Sequence, residues 1–153
     1  MKKVTEIPAT VFPKAKNTKA KLNVAAYCRV STESETQENS LENQTMHYKN
    51  EIESNPNWTL VDVFVDFGVS GLNDTKRTEF MRMIEMCEKG KIDLILTKSI
   101  SRFARNQLDC LSYIRKLKVK NVGIRFDKEG INTLEPSSEI FLSWFSAFAQ
   151  AES

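Results

Sequence analysis

Apolar residues along this 153-residue chain form short runs separated by longer helical repeats. The runs at 22–28, 58–66, 92–97 and 122–126 predict four strands, and a fifth short strand is expected at 131–134. Apolar residues at helical spacing predict helices over 40–54, 78–89, 106–119 and from 137 onward. Strands that alternate with helices predict an α/β fold with a mostly parallel sheet of four to five strands between helical layers.

Capping residues support these helix boundaries. Asn39 or Ser40 caps the first helix, Asn106 precedes the third with Asp109 three residues later, and Gly90 follows the second. The polar segments 29–38, 67–77 and 98–105 predict loops between the elements.

The last predicted helix has an apolar face that is too wide for a simple surface helix. The residues of this face are Ile140, Phe141, Leu142, Trp144, Phe145, Phe148 and Ala149. We therefore predict that the face packs against another subunit or folds back on its own domain. The sequence continues to Ser153 without a stop signal, so we expect the natural protein to be longer.

The first predicted strand leads into a cation and a hydroxyl. Because side chains alternate across a strand, Tyr27, Arg29 and Ser31 lie on one side of it. The strand therefore delivers Arg29 and Ser31 to its carboxyl end, which is the edge where open α/β sheets build their sites. A strand followed by an ordinary polar turn is the simpler alternative.

Other polar side chains end strands or enter adjacent loops and helix starts: Gln44, Asp66, Ser70, Arg77, Arg102 and Arg105. Several arginines that converge on one serine describe a phosphate site, because guanidinium groups match phosphate oxygens bidentately and stay charged. Their positive field also favours the serine alkoxide, which makes phosphoryl transfer the expected chemistry. Taken alone, Asp66 could equally cap a turn, Arg77 could begin a surface helix and Gln44 could be solvated.

Other nucleophilic schemes fit less well. A Ser-His-Asp triad needs a histidine, and the single one, His47, lies in a helix where we expect it to face solvent. The sequence contains neither GxSxG nor GxxxxGK[ST], and Ser34 stands where a Cys-x5-Arg loop beginning at Cys28 would need arginine.

Composition adds few constraints. The net charge is +2, so overall charge does not by itself indicate a nucleic-acid binder. The three cysteines, Cys28, Cys87 and Cys110, are far apart and make a poor metal-binding set with a single histidine, and we expect them to be reduced and mostly buried in a cytoplasmic protein. No apolar run is long enough to span a membrane. Residues 1–21 carry six lysines against Glu6 alone, which predicts a flexible basic arm that is either a solvated tail or a contact for nucleic acid.

Taken together, these motifs resemble the catalytic domain of the serine recombinases, the resolvase/invertase family. The matching segments are YCRVST at 27–32, SLENQ at 40–44, DFGVSG at 66–71, Arg77, SRFARN at 101–106 and AFAQAE at 147–152. The resemblance covers about 22–153. Ser101, where small resolvases carry aspartate, and the N-terminal arm are most similar to the large serine recombinases and transposon integrases.

The resemblance implies a three-layer α/β/α sandwich and a role for each matched residue. Ser31 would attack a DNA phosphodiester and become linked to the DNA 5′ end, while Arg29, Arg102 and Arg105 would bind the scissile phosphate. The supporting residues would be Tyr27, Gln44, Asp66, Ser70 and Arg77. No metal or other cofactor is implied.

The resemblance also implies partners. Family members cut both duplexes in a tetramer, exchange strands by subunit rotation and rejoin them. The expected partners are therefore double-stranded DNA and copies of the same chain, and subunits would meet through Phe141, Trp144, Phe145 and Phe148. The C-terminal DNA-binding domains would lie outside this chain. Two alternatives stay open: another phosphoryl-transfer enzyme such as a nuclease or phosphatase, or a non-catalytic α/β module for phosphate binding or dimerisation.

Overall fold

The computed structural model describes residues 21–31, 40–68 and 77–152, with the backbone alone for Ser31 and Glu152. The elements over these residues, in chain order, are β1 (Leu22–Ser31), α1 (Leu41–Glu53), β2 (Trp58–Gly68), α2 (Thr78–Glu88), β3 (Leu94–Thr97), α3 (Ile100–Phe103), α4 (Gln107–Val119), β4 (Gly123–Phe126), β5 (Ile131–Asn132) and α5 (Ser138–Glu152). The basic arm predicted for 1–21 lies, except for Lys21, outside the described residues.

The sheet has the order β2-β1-β3-β4-β5. β1 pairs in parallel with both β2 and β3, β3 pairs in parallel with β4, and β5 alone runs antiparallel to its neighbour β4. The predicted mostly parallel sheet is therefore confirmed. The chain moves outward from β1 to β2 and then crosses back to β3, so β1 and β3 form the point where strand order reverses.

Helices cover both faces of the sheet and make three layers. On one face Tyr48 and Ile52 of α1 pack against Val24, Ala26 and Cys28 of β1. The other face is covered by α2 and α4, and its cluster contains an aromatic series in edge-to-face contact, Tyr27, Phe80, Phe103 and Phe126. Alternate residues of β1 thus enter opposite cores, as the pleat of a strand requires. The three-layer α/β/α sandwich is confirmed.

The predicted helix caps are present. The Ser40 side chain accepts a hydrogen bond from the Asn43 amide at 3.2 Å, and Asn106 Oδ1 accepts one from the Asp109 amide at 2.8 Å. Gly90 follows α2 with a φ of +78°, a conformation that favours glycine.

Several boundaries differ from the prediction, and two of these differences affect the site. β1 continues beyond 28, because its pairing with β2 extends to the Ser31–Gly68 pair. The segment 98–105 is not entirely a loop, as predicted, since Ile100–Phe103 form a one-turn helix. Ser99 begins this helix by accepting the Arg102 amide at 3.3 Å, and the fully buried Phe103 anchors it to the core. Helical periodicity cannot be recognised in so short a segment.

The wide apolar face of α5 divides into two parts. Phe145 and Ala149 are buried on their own domain, and Phe141 stacks on Phe145 with ring centroids 5.5 Å apart. Trp144 and Phe148, in contrast, are 67% and 51% exposed. The part of the chain that the structure describes contains no helix long and apolar enough to cross a membrane.

Candidate functional site

The carboxyl ends of β1 and β3 bring two of the predicted arginines together. Arg102 lies in α3, directly after β3, and its Nη1 donates a hydrogen bond to the carbonyl oxygen of Arg29 in β1. Ser31, whose backbone ends β1, is two residues further along the same strand. The side chain of Arg102 therefore reaches across the strand-order reversal to the end of β1. Ligand sites in open α/β sheets form at this position.

Gly68 provides the space for the Arg29 side chain. Gly68 ends β2 opposite Ser31, and a Cβ placed on it would lie 3.2 Å from Arg29 Nε and 3.5 Å from Nη2. The Arg29 guanidinium thus lies against the Gly68 backbone, at the edge where Ser31 ends its strand.

Asp66 caps α2 from the neighbouring strand. Its Oδ1 accepts the Glu79 amide at 3.0 Å, and its Oδ2 accepts the Phe80 amide at 3.0 Å and the Tyr27 hydroxyl at 2.8 Å. Burial raises the pKa of Tyr27, and the hydrogen bond to Asp66 and its charge raise it further, so the phenol stays a neutral donor. Asp66 and Tyr27 therefore link β1, β2 and the start of α2, and Asp66 is paired in register with Arg29.

Arg77 joins the start of α2 to the turn between α3 and α4. Its Nη1 lies 3.1 Å from Asp109 Oδ2, and its Nη2 donates to the Phe103 carbonyl oxygen. The centre of its guanidinium lies 3.7 Å from the Phe80 ring centroid, a cation–π contact. Asp109 Oδ2 also accepts the backbone amide of Arg105 at 3.0 Å.

The other predicted site residues that the structure describes make none of these contacts through their side chains. Arg105 is exposed in the turn before α4, and Gln44 is buried in the first turn of α1. Ser70 lies outside the described residues. The structure brings together Arg29, Arg102 and the end of β1, with Tyr27, Asp66 and Arg77 in the supporting contacts.

Sequence reasoning missed Asp109 as a member of this group. Its position three residues after Asn106 was recognised only as a feature of a helix start. The available signal was an acidic residue four positions after Arg105, but sequence spacing does not show that Arg77 lies beside it.

Among the described residues, three arginines of this edge have no carboxylate partner in an ion pair. Within residues 21–31, 40–68 and 77–152, Arg77, Arg82 and Arg125 form ion pairs with carboxylates, and no ion pair involves Arg29, Arg102 or Arg105. Burial raises the pKa of the adjacent Cys28 thiol to about 12 although the charge of Arg102 opposes the shift, so this thiol stays protonated and neutral. Such an arrangement can bind an anion with oxygen acceptors. No group of three or more His, Cys, Asp or Glu within the described ranges could hold a metal ion.

The structure is an α/β protein that places Arg29 and Arg102 at the edge of the sheet where its strand order reverses. A family model described as "Resolvase, N terminal domain" matches residues 24–153. The chain therefore belongs to the resolvase family of serine recombinases, as its motifs predicted.

Individual relatives agree with this family. The chain is 30% identical to the Transposon Tn3 resolvase of Escherichia coli over 90 residues, which are 59% of this chain and 46% of that protein. The matched region thus spans about half the length of that relative. A resolvase family site-specific recombinase from Streptococcus pneumoniae has a similar structure, with 32% identity, a TM-score of 0.71, and coverage of 86% of this chain and 88% of that one. The N-terminal catalytic domain of TP901-1 integrase shares the fold, with 24% identity, a TM-score of 0.68, and coverage of 85% and 95%.

Proposed function

We propose that this chain is the catalytic part of a site-specific DNA recombinase that cuts and rejoins DNA through a covalent phosphoserine intermediate. The observation that carries the proposal is the contact of Arg102 with the Arg29 carbonyl, which brings both arginines to the strand end that carries Ser31. Residues 22–153 would form the catalytic domain and 1–21 a basic arm.

In the proposed reaction Ser31 Oγ attacks a phosphorus atom of the DNA backbone. The Oγ–P bond forms as the P–O3′ bond breaks, the serine loses a proton, and the leaving 3′ oxygen gains one. Rejoining reverses the step, with the 3′ hydroxyl of a partner strand attacking and the serine leaving. The DNA phosphodiester is thus exchanged for a phosphoserine diester of similar energy, so rejoining needs no external energy source.

Arg29, Arg102 and Arg105 would bind the scissile phosphate and stabilise the charge that develops on its oxygens. Loss of one preorganised donor at a comparable oxyanion site lowers the rate by about 10²–10³-fold. Tyr27, Asp66 and Arg77 would not contact the phosphate. They would position the site through their contacts with β1, α2 and the turn before α4. We assign supporting roles to Gln44 and Ser70 from their motif positions.

The test uses the complete parent protein and a duplex of its recombination site that is nicked near the crossover point, so that the intermediate cannot rejoin. A denaturing gel separates the protein–DNA adduct, and peptide mapping locates it. We expect an adduct at Ser31 that is absent from the Ser31→Ala variant. Ser112→Ala, which removes an exposed serine of α4, is the matched control and should behave as wild type.

Other outcomes favour other functions. Cut DNA without an adduct would favour a nuclease, because water would then be the nucleophile. Neither cutting nor adduct, with bound DNA verified, would leave a phosphate-binding or dimerisation module.

We further propose that α5 joins copies of this chain. The support is its outer face, where Ile140, Trp144 and Phe148 are exposed, because clustered exposed apolar side chains mark interaction surfaces. The double variant Trp144→Ala/Phe148→Ala should sediment as a smaller species than wild type, while Met46→Ala, an exposed position on α1, should not. Equal sedimentation of wild type and the double variant would refute this interface. We also propose a cytoplasmic location, which the three free, buried cysteines support.

A further inference from the structure

Asp109 holds the segment that carries two of the site arginines. It lies in the first turn of α4, where one of its oxygens, Oδ2, accepts from both Arg77 Nη1 at 3.1 Å and the Arg105 amide at 3.0 Å. Its own amide is held by Asn106 Oδ1 at 2.8 Å. The cap thus holds the backbone of Asp109 at the start of α4, and its carboxylate contacts two partners outside that helix.

Arg77 completes the contact from the other side. Its Nη2 donates to the Phe103 carbonyl oxygen, and its guanidinium is stacked on the Phe80 ring. The Arg77 side chain is 9% exposed and that of Asp109 is 26% exposed, so the ion pair is partly shielded from water. The Arg77–Asp109 ion pair thus holds both sides of the turn between α3 and α4. Arg77 binds the Phe103 carbonyl before the turn, and Asp109 binds the Arg105 amide within it.

We propose that Asp109 is a positioning residue of the phosphate site. Through Arg77 and the Arg105 amide it fixes the end of α3, which carries Arg102, and the turn after it, which carries Arg105, so that both side chains would extend toward the scissile phosphate. The inference rests on the proposed function. Its physical basis is preorganisation: donors stabilise a transition state only if they are already in place, and a displacement of about 1 Å can lower a rate by about 10²-fold.

The experiment compares Asp109→Asn with Glu88→Gln in the complete parent protein. Glu88 of α2 pairs with Lys116 of α4 at 3.0 Å, so it joins α2 to the same helix through an ion pair that belongs to none of the site contacts. Asparagine can still accept the Arg105 amide but no longer neutralises Arg77. Single-turnover cleavage of the nicked duplex is measured at saturating DNA, and the dissociation constant is measured separately by mobility shift.

We expect Asp109→Asn to lower the cleavage rate by about 10–10²-fold with the dissociation constant changed by less than about threefold, because positioning acts on the transition state. Glu88→Gln should cleave as wild type. The double variant Arg77→Gln/Asp109→Asn should be no slower than Arg77→Gln alone, since residues that act as one unit are not additive. The rates are normalised to the fraction of protein that binds DNA, so a variant that only loses folded protein would show an unchanged rate.

Each other result is decisive. Equal rates for Asp109→Asn and Glu88→Gln, with a normal wild-type adduct, would overturn the role of Asp109 and leave the proposed function intact. A double variant slower by the product of the two single effects would refute action through Arg77. If wild type cuts without an adduct, the covalent mechanism falls but the same rates still test Asp109. If wild type neither cuts nor forms an adduct, both proposals fall.

Discussion

Replacement of Asp66 by alanine tests whether one buried carboxylate stabilises the supporting layer of the site. The substitution removes the acceptor of two backbone amides at the start of α2 and of the Tyr27 hydroxyl. Asp66 is 5% exposed and both Tyr27 and Phe80 are buried, so water cannot readily replace the lost acceptor. The Glu79 amide is only part-buried and can be hydrated, which makes its loss less costly.

The magnitude follows from these contacts. A hydrogen bond to a charged group contributes about 1.5–3 kcal/mol, and a lost helix cap costs about 0.5–2 kcal/mol. With the Glu79 amide rehydrated, we expect the free energy of unfolding to fall by about 2–5 kcal/mol, a large fraction of the roughly 5–15 kcal/mol of a typical domain. Urea unfolding followed by circular dichroism measures the change.

Three further variants separate the contributions. Tyr27→Phe removes only the hydroxyl and should lower the free energy of unfolding by about 1.5–3 kcal/mol, while Asp66→Asn keeps one acceptor oxygen and should lower it by less than Asp66→Ala does. Asp62→Ala is the control, because Asp62 is an exposed partner of Arg82 and surface pairs contribute at most about 1 kcal/mol. If the free energies of unfolding of Asp66→Ala and Asp62→Ala differ by less than about 1 kcal/mol, Asp66 does not stabilise α2 as a cap.

Two more predictions follow from the site and the core. Gly68→Ala places a methyl group 3.2 Å from Arg29 Nε, so the guanidinium must shift by a few tenths of an ångström. DNA cleavage should fall by about threefold to tenfold with little change in urea stability, and an unchanged rate would contradict this. Burial raises the pKa of Cys28, Cys87 and Cys110 from 9.0 to about 12. The unfolded chain loses these protons first, so the free energy of unfolding should fall above about pH 9, by up to about 1.4 kcal/mol per pH unit for each thiol, and should fall less steeply in Cys87→Ala.

The strand and helix pattern was predictable because it depends on local order along the chain. Alternation in β1 placed Tyr27 on one face and Cys28 on the other, and the structure confirms that these residues enter different cores. The caps at Ser40 and Asn106 were predictable for the same reason, since a capping side chain bonds an amide only a few residues away.

The one-turn helix at Ile100–Phe103 was not predictable, because its stability comes from burial of Phe103 in a core assembled from other elements. The contacts of Asp66 and Asp109 were equally hidden. Asp66 bonds amides in the helix that follows its own strand, and Asp109 pairs with Arg77, which is distant along the chain.

The sequence by itself determined the family and the order of the elements, and it supplied the residues for which phosphate chemistry is proposed. The tertiary structure decided which of those residues meet: the parallel pairing of β1 with β3 brings Arg102 to the Arg29 carbonyl, and the packing of α2 beside α4 brings Arg77 to Asp109. The physical reason is that local patterns specify helices, strands and caps, whereas a charged side chain finds its partner only when burial has fixed the positions of distant segments.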